Sequence, residues 1–235
     1  MHNLYEGIIL RAVDYKDNDK ILTIFTKEGK FSLIAKSVKV GKRATLLDTG
    51  NLISYNKVKT KGLDILTTVI LKDSFAESKS EYSFHIIFLL EIILKIQRES
   101  EDDSLIYNIL LYSLLNLSKN PKLYISLFLV KILYYEGVFI DLYSCINCSK
   151  EFEEKDSVII SSEGLSHLTC SNLKVKNIDN DTIKLLRYFL NFNISQNEIK
   201  FFINDIVLQE CLFYLISFTE NFFSSRIKSK IYINL

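Results

Sequence analysis

KILTIFTKEGKFSLIAK, residues 20–36, decides how the N-terminal part of this chain folds. Two runs rich in Ile, Leu, Thr and Phe flank KEGK (27–30). Runs of that composition bounded by turn residues read as strands. Gly29 is free to take the positive φ that a tight hairpin requires. Working outward, EGIILRAVDY (6–15) precedes the hairpin, and NLISYNKVKT (51–60) and GLDILTTVILKD (62–73) follow it. KGLD (61–64) reads as a further turn. About five short strands with no helix between them, in roughly 75 residues, suggest a small closed barrel of the OB type.

After Ser78 the apolar spacing changes from strand to helix. SEYSFHIIFLLEIILKIQRES (80–100), DSLIYNILLYSLLNLSKN (103–120) and PKLYISLFLVKILYYEG (121–137) are helix-length segments with polar residues at helical intervals. Asp103 or Ser104 suits the N-cap of the second, Pro121 the first turn of the third, and Gly137 its stop. NDTIKLLRYFLNF (180–192) and a segment from about Asn204 to Phe223 read as two more helices. The expected fold class is α+β: a barrel domain over 1–78, then a helical domain over 79–235 interrupted by an insertion at about 143–175.

Composition is that of a globular protein, with 48% apolar and 24% charged residues. The longest apolar run, Ile86 to Leu94, is interrupted by Glu91 and falls well short of the ~20 residues of a membrane span. No secretory leader opens the sequence, so a cytoplasmic protein is expected, where paired cysteines serve metal binding or catalysis more often than disulfides. The net charge of +1 conceals an asymmetry: residues 1–76 hold 13 Lys/Arg against 8 Asp/Glu, and the remainder leans acidic. The two regions are expected to face different partners, though so modest a basic excess does not by itself indicate nucleic acid.

Cys145 and Cys148 in LYSCINCSKEF (142–152) form a C-x2-C pair, and His167 and Cys170 in EGLSHLTC (163–170) form an H-x2-C pair. Two ligand pairs about twenty residues apart suit a tetrahedral zinc ion, and a site filled by four protein donors is structural. KEFEEKDSVIISSEG (150–164) between them reads as the hairpin that joins the pairs. The competing readings are a redox pair, disfavoured by the absence of a βαβ pattern, and plain packing residues. Cys211, within LQECLFYLISF, reads as a buried hydrophobe.

Four stretches, in order, resemble the RecO family of bacterial recombination mediators: EGIILRAVDYKDNDKILTIFTKEGKFSLIAK (6–36), LFLVKILYYEGVFIDLYSCINC (127–148), GLSHLTC (164–170) and YLISFTENFFSSRIKS (214–229). The resemblance implies an N-terminal OB fold, a helical domain and a zinc-ribbon-like insertion. It also implies binding of single- and double-stranded DNA, annealing of complementary strands, and cooperation with RecR. Family members load recombinase onto strands coated by single-stranded-DNA-binding protein, without nucleotide hydrolysis, in the bacterial cytoplasm at the nucleoid. Two departures stand out. His167 occupies a position where the family carries cysteine, and SVKVGKRAT (37–45) has fewer arginines than the family leads one to expect.

DNA contact is expected from Lys36, Lys39, Lys42 and Arg43, clustered around Gly41 in a loop, because phosphate binding needs mobile cations. Lys57, Lys59 and Lys61 alternate along what reads as one strand face, and Arg11, Lys16 and Lys20 are further candidates. The bland alternative is a solvated strand face. Tyr15, Phe31 and Tyr55 are available for base stacking but suit barrel packing equally, so electrostatic, sequence-independent contact is favoured. No catalytic residue is assigned: three histidines, no P-loop and no nucleophile elbow argue against a hydrolase. A protein-docking adapter with minor DNA contact is the alternative function.

Overall fold

The computed structural model describes residues 4–38, 42–75, 80–97, 102–161, 163–171, 177–195, 198–199 and 203–233. Strands β1 (Tyr5–Tyr15), β2 (Asp19–Thr26), β3 (Gly29–Ala35), β4 (Asn51–Val58) and β5 (Asp64–Ser74) close into a barrel in the order β1-β2-β3-β5-β4. β3 and β5 pair in parallel, and the other neighbours pair antiparallel. The connection from β3 to β4 carries the short helix α1 (Lys42–Leu46). Lys27 and Glu28 form the β2–β3 turn, with Thr26 opposite Gly29 and Gly29 at φ +110°, as the KEGK stretch predicts.

Alternating side chains of the strands fill the barrel interior: Ile9, Leu22, Ile24, Leu33, Ile53 and Tyr55 are fully buried. On β1 four consecutive residues, Gly7 to Leu10, are buried on both faces. The outer face is covered because helix α2 (Ser83–Lys95) packs on β1 and helix α3 (Ser104–Asn116) packs on β2. Phe25 meets the Tyr107 ring at 6.0 Å, and Tyr107 donates to Glu6 at 3.1 Å. Lys30 reaches from β3 to the end of α2, donating to the carbonyls of Ile93 (2.9 Å), Leu94 (3.3 Å) and Ile96. It supplies the positive charge that a helix C-terminus favours.

These elements form one compact unit, residues 1–119 with 229–234, and residues 120–228 form the second. Glu91 of α2 accepts the Ser229 N–H and hydroxyl at 2.9 and 2.6 Å, and Tyr232 stacks on Phe84 at 4.6 Å. In the second unit, α4 (Pro121–Tyr135) is buried continuously from Leu123 to Leu133 and packs against α5 (Asn180–Asn191) and α6 (Asp205–Phe223). A helix apolar on every face is one enclosed by neighbours.

Pro121 sits in the first turn of α4, behind an Asn120 cap that accepts the Leu123 N–H at 3.1 Å. The helix ends as expected at Gly137, whose N–H donates to Tyr134 O while Val138 N–H donates to Leu133 O, both at 3.0 Å. Asp103 does occupy the N-cap position of α3, but its side chain makes no capping bond. Its own N–H is tied to Lys27 O at 2.6 Å and its φ/ψ of −105/19° is not the extended conformation of a working cap; Asp102 accepts the Ser104 N–H instead. No helix among the described residues is long and apolar enough to cross a membrane.

Candidate functional site

Between α4 and α5 the chain forms a small β insertion. Ser144 and Glu151 bridge antiparallel around the first cysteine pair. Inside that bridge the Cys145 N–H donates to Lys150 O at 2.9 Å and the Ser149 N–H to Cys145 O at 2.8 Å, with Ser149 left-handed at φ +58°. The second pair lies at the end of a hairpin of β6 (Val158–Ser161) and β7 (Gly164–His167), so His167 closes β7 and Cys170 ends the helical turn that follows. The hairpin thus starts later than the sequence suggests and ends in His167, with Cys170 in the turn just beyond it, instead of spanning the whole gap between pairs. Ile146 N–H to Leu165 O (3.0 Å) and Asn147 Nδ2 to Cys170 O (3.1 Å) join the two turns. Gly164 has φ +144°, and a Cβ there would meet Ile146 Cγ2 at 2.7 Å, so the close approach of the two turns needs glycine.

The donor atoms of Cys145, Cys148, His167 and Cys170 all lie within 4.8 Å of one another. Cys145 is buried, whereas Cys148 and Cys170 are exposed. Burial pushes the Cys145 thiol up. The backbone N–H groups of His167, Cys148 and Asn147 around its sulfur more than reverse this and bring it to about 6. A thiol so disposed releases its proton readily, leaving the thiolate that a metal binds. His167 Nδ1 lies 3.5 Å from Cys148 Sγ and 3.9 Å from Cys170 Sγ, while Nε2 lies 3.1 Å from Asp156 Oδ2. The Glu153 N–H holds the Asp156 carboxyl below the usual carboxylate range; burial opposes the shift and the imidazole assists it. Three thiols and one oriented imidazole are a donor set that fits zinc. Asp156 went unnoticed in the sequence, where nothing links it to a histidine eleven residues away. Cys211 is fully buried, as its apolar surroundings suggest.

The ten cations singled out for DNA separate into distinct groups. Arg11, Lys16, Lys36, Lys59 and Lys61 are exposed. Lys39 lies outside the described residues. Lys42 and Arg43 belong to α1 rather than to a glycine-loosened loop, and their side chains lie outside the described residues. The expected face of Lys57, Lys59 and Lys61 on one strand is not formed. β4 ends at Val58, so Lys59 and Lys61 stand in the β4–β5 turn. Lys57 is pinned, its Nζ 2.9 Å from Asp64 Oδ2, 4.4 Å from the Phe31 ring centroid and 5.6 Å from that of Tyr5. Lys20 is mostly covered and sits 3.8 Å from Asp48. Of the three aromatics, Tyr55 is in the core, Phe31 packs against it beneath Lys57, and Tyr15 is exposed under Lys16.

Two family models match the chain: Recombination protein O N terminal over residues 1–75 and Recombination protein O C terminal over residues 79–231. The chain belongs to the RecO family. Among its curated relatives, the DNA repair protein RecO of Halalkalibacterium halodurans is 25% identical over 206 residues, covering 83% of this chain and 80% of the relative. That of Clostridium perfringens is 28% identical over 198 residues, with 81% and 80% covered. The Caldicellulosiruptor saccharolyticus protein is 29% identical over 178 residues, with 67% and 70% covered. Family membership accords with the barrel, the helical region and the Cys3His cluster described above.

Proposed function

We propose that the chain is a DNA repair and recombination mediator that binds single- and double-stranded DNA through the barrel. In this reading it anneals complementary strands and acts with RecR to load recombinase onto strands coated by single-stranded-DNA-binding protein. The observation that carries the reading is the five-stranded barrel in β1-β2-β3-β5-β4 order with Arg11, Lys16, Lys36, Lys59 and Lys61 exposed on it. Barrels of this topology bind oligonucleotides, and exposed cations supply the phosphate-neutralising charge of sequence-independent binding. The DNA repair names of the relatives point the same way. The protein works by binding, with no nucleotide hydrolysis and no catalytic residue.

Zinc is the proposed resident metal, held by Cys145, Cys148, His167 and Cys170. When bound, it supplies a cross-link between two turns and no chemistry. The direct test is a strand-annealing assay with complementary oligonucleotides and no nucleotide present. Acceleration over the uncatalysed rate is expected. No acceleration, together with no mobility shift of short single strands, refutes the mediator reading and leaves the protein-docking adapter.

A further inference from the structure

We propose that Asp156 is the positioning residue that makes His167 a ligand through Nδ1, so that an imidazole–carboxylate pair stands in for a fourth thiolate. The inference rests on the four-donor cluster holding zinc, proposed above.

Histidine can present either ring nitrogen to a metal, and the hydrogen bond at the other nitrogen decides which. Here Nε2 lies 3.1 Å from Asp156 Oδ2, and Nδ1 faces the sulfurs of Cys148 and Cys170 at 3.5 and 3.9 Å. With Nε2–H donated to the carboxylate, the Nδ1 lone pair is left toward the thiols. Asp156 is itself held: Oδ2 accepts the Glu153 N–H at 2.8 Å, and the Asp156 N–H donates to Glu153 O at 3.1 Å. The next link, Leu168 N–H to Ser157 O at 2.8 Å, fastens that turn to the residue after the histidine. The Phe152 ring meets the imidazole edge-on at 4.9 Å, which limits its rotation.

Charge gives the pair its purpose. Three thiolates and a neutral imidazole bring one negative charge fewer to a divalent cation than four thiolates do. A carboxylate on the far side of the ring raises its basicity and returns that charge across the imidazole, through the Nε2 hydrogen bond. Beyond its bond to the Glu153 N–H, the carboxylate has a role toward the metal only because residue 167 is histidine. In a four-cysteine version of the site it would have nothing to orient.

The test is a double-mutant cycle on the full chain, with zinc affinity read by competition with a chromophoric chelator. Asp156→Ala is expected to weaken zinc binding about 10- to 100-fold, and Asp156→Asn less. In a His167→Cys background, where its bond to the Glu153 N–H is what remains to be lost, Asp156→Ala is expected to cost far less than in the natural chain. Nitrogen chemical shifts of the imidazole in the zinc-loaded natural protein give an independent readout: metal on Nδ1 and a proton on Nε2. If the natural chain binds no zinc, the metal assignment itself falls. If it binds zinc but Asp156→Ala binds equally well, if the loss is the same in both backgrounds, or if the shifts put the metal on Nε2, the metal assignment survives and the role of Asp156 is refuted.

Discussion

Replacing Lys59 and Lys61 together by Ala, and separately Lys57 by Met, splits three lysines that are evenly spaced in sequence but unlike in structure. Lys59 and Lys61 stand exposed in the β4–β5 turn. Lys57 has a side chain only 18% exposed, paired to Asp64 at 2.9 Å and laid over Phe31. An ammonium already neutralised and covered has no counterion to release, so it adds nothing to the salt dependence of binding. Each free cation that meets a phosphate of single-stranded DNA contributes about 0.7 to the slope of log affinity against log salt. The double variant should therefore flatten that slope by about 1.4, and at 0.1 M salt weaken binding about 25-fold.

Fluorescence anisotropy of a labelled oligonucleotide, titrated at several salt concentrations, measures both quantities. Lys57→Met should leave the slope unchanged while lowering the thermal midpoint followed by circular dichroism, since Asp64 loses its ion-pair partner and keeps, among the described residues, only the Thr60 N–H as a hydrogen-bond donor. A slope unaltered in the double variant would refute the assignment of this turn to DNA. A slope flattened equally by Lys57→Met would refute the separation of the covered, ion-paired lysine from the exposed ones.

Lys30→Met removes a cation that donates to three carbonyls at the end of α2; a loss of about 3 kcal/mol in unfolding free energy is expected, and a urea-melt difference below about 1 kcal/mol would contradict it. Burial pushes the Lys131 ammonium below its usual pKa of 10.5 even though Nζ donates to Leu190 O at 2.9 Å. Between that lowered value and 10.5 the unfolded chain binds more protons than the folded one, so stability should rise with pH in that window, and the rise should vanish in Lys131→Met. A strong zinc chelator should release hydrogen-exchange protection over residues 144–170 and leave the barrel strands protected; uniform release, or none, would show that the cysteine cluster is not a separate cross-link.

The barrel is legible in the sequence because its strands are β-branched and punctuated by turn residues, and because Gly29 marks the hairpin turn. Which strands become neighbours is not legible. The parallel β3–β5 pair joins Leu33 to Asp64 and Ala35 to Leu66, residues brought together only when the barrel closes. The β4–β5 hairpin brings Asp64 beside Lys57, and barrel closure adds the Phe31 ring of β3 under its ammonium; together they remove Lys57 from the exposed set. An alternation of lysines looks like a charged face until the last residue of the strand is known, and here it is Val58. Helix positions follow from apolar spacing, but the Asp103 cap fails through a tertiary bond from its N–H to Lys27 O. The four clustered donors are visible by spacing, whereas Asp156 reaches His167 only through the turn that Glu153 closes.

The insertion also shows why a cross-link is useful at this point in the chain. β6 and β7 have four residues each, too short for a hairpin to stand alone in water. Val158, Ile159 and Leu165 are buried, so packing supports the hairpin itself. The turns that carry the thiols have less: Cys148 and Cys170 are exposed, and these turns are joined chiefly by the Ile146–Leu165 and Asn147–Cys170 hydrogen bonds and a His167 N–H to Cys145 Sγ contact at 3.5 Å. Each such bond contributes about 1 kcal/mol net, whereas ordering a residue costs about 1–2 kcal/mol. Burial can therefore hold the hairpin, but the cysteine turns need a further interaction, and a metal ion on four converging donors is of the required strength.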